Sequence, residues 1–522
     1  MLLSVQNLNI SAGPQQLVKD VSFQIQSGQS MALVGESGSG KTLSALSVMG
    51  LLPENLHMQA ETCQFKAHNL LELSSTRYRR VRGSEMAMIF QEPLSALNPV
   101  QKAGQQVGEM FRIHTLGLSR KEVQQRIHKL FEDVQLQEPE RIARSYIHQL
   151  SGGQRQRVMI AMALALQPDL LIADEPTTAL DAHVQREILQ LIRNIQKRRN
   201  MGLLIISHDL NLVKHMADEV TVMSAGQVAE QGPIQLLNNP QATYTQKLLR
   251  ASPQLNLKPI RTPVTGEKVL EVKNLSKFFP QGNFWQRLSP VKALENVSLT
   301  LHKGETLGVV GETGSGKSTL AKCLLQLEKP DAGDVILQGQ NLCTQSPQQL
   351  RQSWRDIQMV FQDPFASLNP RRTVAQSITE GLEAHGIGNK ASRQAKCAEM
   401  LAAVELPPDA ASRYPHEFSG GQRQRIGLAR ALILQPRIII ADEAVSALDV
   451  SVQKQVLDLM QKLQQDFDLS YIFITHDLRV VSQIADRLLV LHNGQIAEQG
   501  QTHDVLNQPQ AAYTKALIEA LV

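Results

Sequence analysis

Short, uniformly apolar segments alternate along the chain with segments of helical spacing. Three of the apolar segments lead into polar or glycine-rich residues: Met31–Val34, Leu170–Ala173 and Leu203–Ile206. Runs of this length are typical of strands buried on both faces of a parallel sheet. Between Leu94 and Gln167 the apolar residues follow helical spacing instead, for example Val123, Ile127, Leu130 and Phe131. The pattern predicts an α/β core that carries a helical insertion.

The same order of motifs occurs twice. GESGSGKT begins at Gly35 and GETGSGKS at Gly311, which is 311 − 35 = 276 positions later. Three more segments recur 268 positions apart: SGGQRQR from Ser151 and Ser419, ADE ending at Glu175 and Glu443, and HDL from His208 and His476. This spacing predicts a tandem duplication of a domain of roughly 250 residues. We expect domains at 1–250 and 269–522, joined at 251–268 by an exposed linker that contains three prolines.

Both glycine-rich segments match the pattern GxxxxGK[ST] and follow an apolar run. Glycines let the backbone N–H groups of such a loop point at phosphate oxygens. The lysines would reach the β- and γ-phosphates, and Thr42 and Ser318 would bind Mg²⁺. We therefore expect two ATP sites, built on Gly35, Glu36, Ser37, Gly38, Ser39, Gly40, Lys41 and Thr42, and on Gly311, Glu312, Thr313, Gly314, Ser315, Gly316, Lys317 and Ser318.

The apolar runs LLIADE and IIIADE each end in two carboxylates. Parallel sheets present their ligands at the carboxyl ends of strands, so Asp174 and Asp442 would hold Mg²⁺ through its water shell. The residues that follow, Glu175 and Glu443, would polarise the water that attacks the γ-phosphate.

A histidine ends the next apolar run in each half of the chain. An imidazole at that strand end could donate a hydrogen bond to the γ-phosphate, and the repeat of the position favours this role over a structural one. We therefore add His208 and His476 to the catalytic candidates.

Composition narrows the class of protein. Apolar residues make up 42% of the 522 residues and charged residues 20%, which excludes a largely disordered chain. The net charge is 53 − 49 = +4, too small over this length to indicate nucleic-acid binding. The longest apolar run, Val158–Leu166, has nine residues, against about 20 for a membrane-spanning helix. Because no signal peptide is visible at Met1–Ile10, we expect the chain to stay in the cytoplasm.

Taken together, the motifs resemble those of the ATP-binding cassette (ABC) family. The first half has Gly35–Thr42, Gln91, LSGGQ at Leu150–Gln154, LLIADE at Leu170–Glu175, ALD at Ala179–Asp181 and His208. The second half has Gly311–Ser318, Gln362, FSGGQ at Phe418–Gln422, IIIADE at Ile438–Glu443, ALD at Ala447–Asp449 and His476. The resemblance implies two tandem ABC-type P-loop ATPase domains, each with a RecA-like α/β core, an antiparallel β subdomain and a helical subdomain.

The resemblance also implies roles for further residues. In the family, two cassettes pair head to tail, so the SGGQ signature of one closes over the nucleotide held by the other. Its helix N-terminus suits a γ-phosphate. The site of Lys41 would be completed by Ser419, Gly420, Gly421 and Gln422, and that of Lys317 by Ser151, Gly152, Gly153 and Gln154. Gln91 and Gln362 would connect Mg²⁺ to the helical insertion. Both halves keep the full set, so we expect two hydrolysis-competent sites.

A narrower resemblance is to the dipeptide and oligopeptide importer branch. It rests on MIFQEPLSALNP at Met88–Pro99, MVFQDPFASLNP at Met359–Pro370, YPHEFSGGQRQRIGLARAL at Tyr414–Leu432, and the tails NPQATYTQKLL and QPQAAYTKALI. It implies an ATPase subunit at the cytoplasmic face of the inner membrane. Its partners would be two integral membrane permease subunits and a periplasmic substrate-binding protein, with no nucleic acid. The cargo would be peptides or peptide antibiotics such as microcin C.

Three departures from that branch stand out. An iron–sulfur extension is not expected, because the four cysteines (Cys63, Cys323, Cys343 and Cys397) lack any Cys-x-x-Cys spacing. Ile147 replaces the proline of the usual Tyr-Pro-His-Gln, a change we expect to matter little. The adenine-stacking aromatic of the family is present as Phe279, but Ala12 holds the matching position in the first half. Phe23 and Tyr146 are candidates to replace it there.

Other functions stay open on the sequence alone. The same motifs would suit an importer ATPase for glutathione, nickel or a sugar, because cassettes do not touch the transported substrate. A soluble tandem cassette acting on ribosomes or nucleic acid would bring a long charged arm between its domains, and the linker here has about 18 residues and is not strongly basic. A nucleotide sensor without hydrolysis is disfavoured by Glu175 and Glu443.

Overall fold

The computed structural model describes residues 1–115, 117–177, 180–252, 255, 266–281, 288–361, 363, 367–446 and 448–521. Two compact units are present. One comprises Met1–Leu180, Val184–Ser252 and Asp449–Ser451, and the other Asp181–His183, Pro253–Leu448 and Val452–Val522. Most of the predicted linker, together with Gln362, Ala179 and Ala447, lies outside the described residues. The domain boundaries at 250 and 269 stay a prediction.

The first half of the chain contains eleven strands and ten helices among its described residues. The strands are β1 Leu3–Ala12, β2 Gln15–Ile25, β3 Ser30–Val34, β4 His57–Gln59, β5 Thr62–Phe65, β6 His68–Asn69, β7 Met86–Ile89, β8 Leu170–Asp174, β9 Gly202–Ser207, β10 Glu219–Ser224 and β11 Gln227–Pro233. The helices are α1 Lys41–Val48, α2 Ser75–Ser84, α3 Pro93–Ala96, α4 Ala103–His114, α5 Arg120–Asp133, α6 Pro139–Arg144, α7 Gly152–Leu164, α8 Ala182–Arg199, α9 Leu210–Met216 and α10 Thr243–Ala251. Short 3₁₀ turns lie at Ile147–Gln149 and Ile234–Asn238.

The second half repeats this order. Its strands are β12 Lys268–Gln281, β13 Leu288–His302, β14 Thr306–Val310, β15 Ala332–Leu337, β16 Gln340–Asn341, β17 Ile357–Val360, β18 Ile438–Asp442, β19 Ser470–Thr475, β20 Arg487–His492 and β21 Gln495–Gln501. Its helices are α11 Lys317–Leu324, α12 Pro347–Ser353, α13 Val374–Ala384, α14 Lys390–Ala403, α15 Gly420–Leu432, α16 Val450–Asp466, α17 Leu478–Ile484, α18 Thr502–Asn507 and α19 Ala512–Glu519. Its 3₁₀ turns lie at Leu342–Thr344, Pro408–Ser412 and Pro415–Glu417.

Each unit is built on a six-stranded, mainly parallel sheet. In the first the order is β11-β10-β3-β9-β8-β7, and only β11 runs antiparallel to its neighbour. The second has the same order, β21-β20-β14-β19-β18-β17. The central strands β3, β8 and β9 are buried along their whole length, as their apolar runs predicted. Their carboxyl ends carry the candidate site residues, as expected for a sheet of this kind.

A second, antiparallel sheet covers part of each core. Strands β2-β1-β5-β6, with β4 paired to β1, form it in the first unit, and β13-β12-β15-β16 form it in the second. The buried residues of β1, which include Leu3 and Val5 before a register shift and Leu8 after it, pack in one core cluster with Leu33 of β3 and Leu204 of β9. The antiparallel β subdomain predicted for each half is confirmed.

The predicted helical insertion is also confirmed. Helices α3 to α7 occupy the region 93–164, and α5 buries Ile127, Leu130 and Phe131 on one face. These side chains join a core with Leu171 and Leu203 of the central sheet, so the insertion packs on the sheet rather than extending from it. Across the described helices, none combines the length and apolar character needed to cross a bilayer.

Candidate nucleotide sites

The first glycine-rich loop follows β3 and opens helix α1. Gly35 has φ +153°, and a Cβ atom there would lie 2.2 Å from the Met223 carbonyl oxygen, so only glycine fits. Gly38 and Gly40 lie in the left-handed region, with φ +78° and +95°. A chain of such turns aims successive N–H groups into one concavity, which is the geometry of a phosphate cradle.

The loop lysine is buried within this loop. Lys41 is 6% exposed, and its ammonium donates to the carbonyl oxygens of Gly35 and Glu36, both at 2.8 Å. Burial is the largest influence on Lys41 and lowers its pKa, although the negative charge of Glu175 acts in the opposite direction. A desolvated ammonium at the base of a glycine loop suits a polyanionic ligand, because the phosphate charge replaces the lost hydration.

The second loop repeats this geometry. Gly311 has φ +155°, with the Leu491 carbonyl oxygen 2.2 Å from the position of a Cβ atom. Lys317, 5% exposed, donates to the carbonyl oxygens of Gly311 and Glu312 at 2.6 and 2.9 Å. Burial again lowers the lysine pKa. Both loops therefore have the form that their sequences predicted.

The strand-end aspartates lie beside the loop hydroxyls. Thr42 Oγ1 donates to Asp174 Oδ1 at 3.3 Å, and Asp174 is 4% exposed. Burial raises the pKa of Asp174 to about 6, with the charge of Glu175 adding to the rise and Thr42 and Lys41 opposing it. Within the described residues of the second half, Asp442 Oδ1 is buried without a hydrogen-bond partner, and burial raises the pKa of Asp442.

These groups fit a hard divalent cation. A hydroxyl and a carboxylate are the oxygen ligands that Mg²⁺ prefers, and a nearby cation would favour the charged form of both aspartates against the cost of their burial. The unpartnered Oδ1 of Asp442 supplies an acceptor of the required kind. The side chains of Thr42, Asp174, Ser318 and Asp442 could therefore hold Mg²⁺, and their role as its ligands stays a prediction.

The candidate catalytic glutamates have an unusual backbone conformation. Glu175 and Glu443 have φ +45° and +47°, and their N–H groups donate to Ile206 and Ile474 carbonyl oxygens, both at 2.9 Å. Non-glycine residues in this region cluster at functional sites, where the surrounding structure holds them.

Each glutamate contacts the candidate histidine of its own half. Glu175 Oε1 lies 2.9 Å from His208 Nδ1, and Glu443 Oε1 lies 3.3 Å from His476 Nδ1. Burial alone would lower the pKa of His208, but the hydrogen bond and charge of Glu175 outweigh it and raise that pKa. The pKa of His476 is raised in the same way by Glu443. Each contact therefore favours the charged form of its histidine.

Gln91 also contacts Glu175. Its Nε2 donates to Glu175 Oε2 at 2.8 Å, so the two carboxylate oxygens of Glu175 are held by two different side chains. The sequence suggested Gln91 as a metal contact, and no pattern in the sequence indicated this contact with Glu175. The matching Gln362 lies outside the described residues.

The signature segments begin helices α7 and α15. Ser151 Oγ accepts a hydrogen bond from Gln154 N at 3.3 Å while Gln154 Oε1 accepts from Ser151 N at 3.1 Å, a reciprocal capping box. Ser419 and Gln422 form the same box at 3.3 and 3.0 Å. A Cβ atom on Gly153 would lie 2.8 Å from Val184 of α8, and one on Gly421 would lie 2.2 Å from Val452 of α16. These glycines let the signature helix approach the next helix closely.

The turns before the two signatures have the same fold despite Ile147. Ile147 begins a 3₁₀ turn in the first half, as Pro415 does in the second. Arg155 Nε donates to the Ile147 carbonyl oxygen at 2.9 Å, and Arg423 Nε donates to that of Pro415 at 2.8 Å. Ile147 is fully buried and so takes the place of the proline ring.

The two halves differ in the hairpin that carries the predicted adenine contact. Phe279 lies near the end of β12, half-buried, with Lys277 Nζ 5.3 Å from its ring centroid. Strands β12 and β13 have 14 and 15 residues, whereas β1 and β2 have 10 and 11, and β1 already ends at Ala12. Phe23 is wrong as a replacement, because it is 2% exposed within the core. Tyr146 stacks on His148 and stays a prediction.

Two tyrosines with no role predicted from the sequence contact the phosphate loops in the structure. Tyr244 and Tyr513 lie in helices α10 and α19, and their hydroxyls accept hydrogen bonds from the N–H groups of Glu36 and Glu312. The available signal was the repeated tail segment, with ATYT in one half and AAYT in the other.

Comparison with known proteins agrees with this geometry. The family model described as "ABC transporter" matches residues 18–178 and 294–446, and the model "Oligopeptide/dipeptide transporter, C-terminal region" matches 497–522. The proteins named "Glutathione import ATP-binding protein GsiA" from Escherichia coli K12 and Shigella flexneri are each 45% identical over 557 residues, covering 100% of this chain and 89% of theirs.

A solved ATP-binding cassette, in a dimeric post-hydrolysis state bound to ADP and Pi, is 30% identical, with a TM-score of 0.41 over 45% of this chain and 98% of its own. The chain belongs to the ABC transporter ATPases, as a tandem-cassette importer ATPase of the oligopeptide/dipeptide branch that hydrolyses ATP to drive transport.

Proposed function

We propose that this chain energises the import of peptides through two separate membrane subunits, using two competent ATP sites. The observation that carries the proposal is the combination of two loop, aspartate, glutamate and histidine sets with the oligopeptide/dipeptide C-terminal region at 497–522. The partners would be two permease subunits and a periplasmic substrate-binding protein, with the chain at the cytoplasmic face of the inner membrane.

The site residues support a division of labour in hydrolysis. The backbone amides of the glycine loop and the Lys41 ammonium would bind the β- and γ-phosphates. Mg²⁺ held by Thr42 and Asp174 would neutralise phosphate charge. Glu175, held at one oxygen by His208 and at the other by Gln91, would orient the attacking water along a fixed direction. Lys317, Ser318, Asp442, Glu443 and His476 would do the same in the second half.

The signature residues complete the proposed sites. By resemblance to the family, Ser419, Gly420, Gly421 and Gln422 belong with the site of Lys41, and Ser151, Gly152, Gly153 and Gln154 with that of Lys317. The capping boxes support the role in one respect, because they leave the first turn of each signature helix with ordered N–H donors.

A second candidate cargo is glutathione. The 45% identity to proteins named for glutathione import extends over the whole chain and favours this cargo. Glutathione is itself a short peptide, so the two candidates differ in the binding protein and permeases rather than in the chemistry of the cassettes.

Uptake by intact cells separates the two cargoes. A strain that lacks this chain should fail to take up labelled oligopeptides while its glutathione uptake persists, and a plasmid copy of the chain should restore peptide uptake. Normal peptide uptake with loss of glutathione uptake would contradict the peptide proposal and support glutathione. A plasmid carrying Glu175→Gln and Glu443→Gln together is the matched control for the need for hydrolysis.

A further inference from the structure

The second residue of each phosphate loop, Glu36 or Glu312, is held at both its backbone N–H group and its carbonyl oxygen. Glu36 N donates to Tyr244 Oη at 3.2 Å, and the carbonyl oxygen of the same residue accepts from Lys41 Nζ at 2.8 Å. In the second half Glu312 N donates to Tyr513 Oη at 3.0 Å, and its carbonyl oxygen accepts from Lys317 Nζ at 2.9 Å. The tyrosines come from more than 200 positions along the chain, at separations of 208 and 201.

The helices that carry the tyrosines are anchored to the central sheet. Glu230 of β11 accepts a hydrogen bond from Gln241 N at 2.7 Å, just before α10. Glu498 of β21 accepts from Gln510 N at 2.8 Å and from Ala511 N at 3.0 Å, just before α19. The same carboxylate position therefore fixes the start of both tail helices, which limits how far the tyrosines can move.

The second tyrosine has a further contact. Its ring stacks on His492 at the end of β20, with the ring centroids 3.9 Å apart and the planes 11° apart. Strand β20 is the neighbour of β14, which leads directly into the loop. The tail helix, two adjacent strand ends and the loop thus meet at one point in the second unit.

We propose that Tyr244 and Tyr513 are positioning residues that keep the start of each phosphate loop in the conformation that receives ATP. This inference rests on the assignment of Lys41 and Lys317 to phosphate binding made above. The hydrogen bond from the loop N–H group to the tyrosine hydroxyl does not involve the lysine. It can therefore persist when the lysine ammonium turns from the loop carbonyl oxygens to phosphate. The tail helices α10 and α19 would thus take part in nucleotide binding.

The expected effect is on nucleotide affinity rather than on turnover. Without the hydroxyl, the Glu36 N–H loses its acceptor and the loop must be ordered at the expense of binding. Tyr244→Phe should therefore weaken ATP binding about two-fold to ten-fold, the range that one net hydrogen bond represents. ADP should be weakened by the same factor, because both nucleotides use the same loop. Burial raises the pKa of Tyr244, and it raises that of Tyr513 to about 12, so both hydroxyls stay protonated at neutral pH.

The test is nucleotide titration of the full-length chain by calorimetry. Lys317→Ala serves as the background in which Tyr244→Phe is measured, and Lys41→Ala as the background for Tyr513→Phe. Tyr78→Phe is the matched control, since it removes a hydroxyl from a ring that lies against Gly50 in the same half. Weaker ATP and ADP binding in the two tail variants, with no change in the control, would support the proposal.

Steady-state kinetics separate positioning from loss of fold. The double variant Tyr244→Phe, Tyr513→Phe, with both lysines kept, should have a raised KM for ATP. Its kcat should stay within about two-fold of the kcat of the unsubstituted chain. A lower kcat with an unchanged KM would show partial unfolding and overturn the inference, as would unchanged affinity in both titrations. If Lys41→Ala and Lys317→Ala together also leave ATP affinity unchanged, the phosphate-loop assignment itself fails.

Discussion

The two oxygens of the Glu175 carboxylate are occupied by different partners, Gln91 and His208. Gln91 follows the edge strand β7 at the start of the helical insertion, and His208 follows a central strand. A carboxylate held in this way has little rotational freedom, which suits a group that must orient one water molecule. We therefore expect hydrolysis to depend on these two contacts of Glu175.

Replacing Glu175 and Glu443 with glutamine should separate binding from hydrolysis. Glutamine keeps the size and one acceptor oxygen, so the loops and ATP affinity should be unchanged. ATP turnover should fall by orders of magnitude, because the water loses its orienting carboxylate. Release of phosphate and equilibrium ATP binding are the two measurements. Glu399→Gln, an exposed position on α14, is the control, and turnover near the parent rate in the double variant would refute the assignment.

The missing aromatic side chain at Ala12 predicts unequal ATP sites. Stacking of a base on an aromatic ring contributes about 1–3 kcal/mol in nucleic-acid complexes, equivalent to about 5-fold to 150-fold in affinity. The variant Lys41→Ala, which retains the second site, should therefore bind ATP more tightly than Lys317→Ala. Phe279→Ala should remove most of the difference. Equal affinities in the two lysine variants would show that another residue holds adenine in the first site.

Local motifs predicted many of the site residues. Contacts between residues far apart in the sequence could not be predicted in this way. Gly35, Lys41 and Asp174 were predictable because each lies in a short segment whose pattern reflects its chemistry. Tyr244 was not, since its partner Glu36 is 208 positions away and a tyrosine in a tail helix has no distinguishing local pattern. Phe23 was misjudged because an aromatic residue in a strand can face either the core or the ligand, and here it faces the core.

At the scale of elements, the arginine at position 157 of α7 and its counterpart at position 425 of α15 join each signature helix to different acidic partners. Arg157 of α7 donates to the Val134 carbonyl oxygen at 2.8 Å, to Gln135 Oε1 at 3.2 Å and to Glu187 Oε2 on α8 at 2.7 Å. In the second half Arg425 instead pairs with Glu405 at 3.1 Å, next to Val404. The acidic partner has moved from the following helix to the end of the preceding one.

This exchange predicts a rescue experiment. Glu187→Gln leaves Arg157, 8% exposed, without its carboxylate and should destabilise the packing of α7 on α8 by about 1–2 kcal/mol, given that Glu187 is itself partly exposed. Adding Gln135→Glu should recover most of the loss, because it recreates the arrangement of the second half. Hydrogen exchange of the α7 amides reports the packing directly, with Glu140→Gln on α6 as control. Failure of the added glutamate to restore protection would show that Glu187 acts by other means.

Element types were predictable, but their lengths were not. The apolar runs placed β3, β8 and β9 within one or two residues of their observed ends, because a strand buried on both faces must be apolar throughout. The four-residue extension of both strands in the second hairpin is not marked by an apolar run of this kind. The substitution of proline by Ile147 preserved its turn because burial and Arg155 fix the backbone there.

At the scale of the whole molecule, the two halves share one sheet order and one set of site residues. They differ in the length of the hairpins β1–β2 and β12–β13, and in the ion pairs Arg157–Glu187 and Arg425–Glu405. Such a chain is expected to hydrolyse ATP at both sites with unequal nucleotide affinities.

The proposed coupling of ATP hydrolysis to peptide import is tested most directly by the ATPase activity of this chain, reconstituted in proteoliposomes with the two permease subunits proposed as its partners. We predict that a binding protein loaded with an oligopeptide stimulates hydrolysis several-fold, that the same protein without peptide does not, and that Glu175→Gln with Glu443→Gln abolishes the stimulation. If the peptide-loaded binding protein leaves the rate of hydrolysis unchanged, in a complex that transports another solute, the proposed import of peptides is wrong.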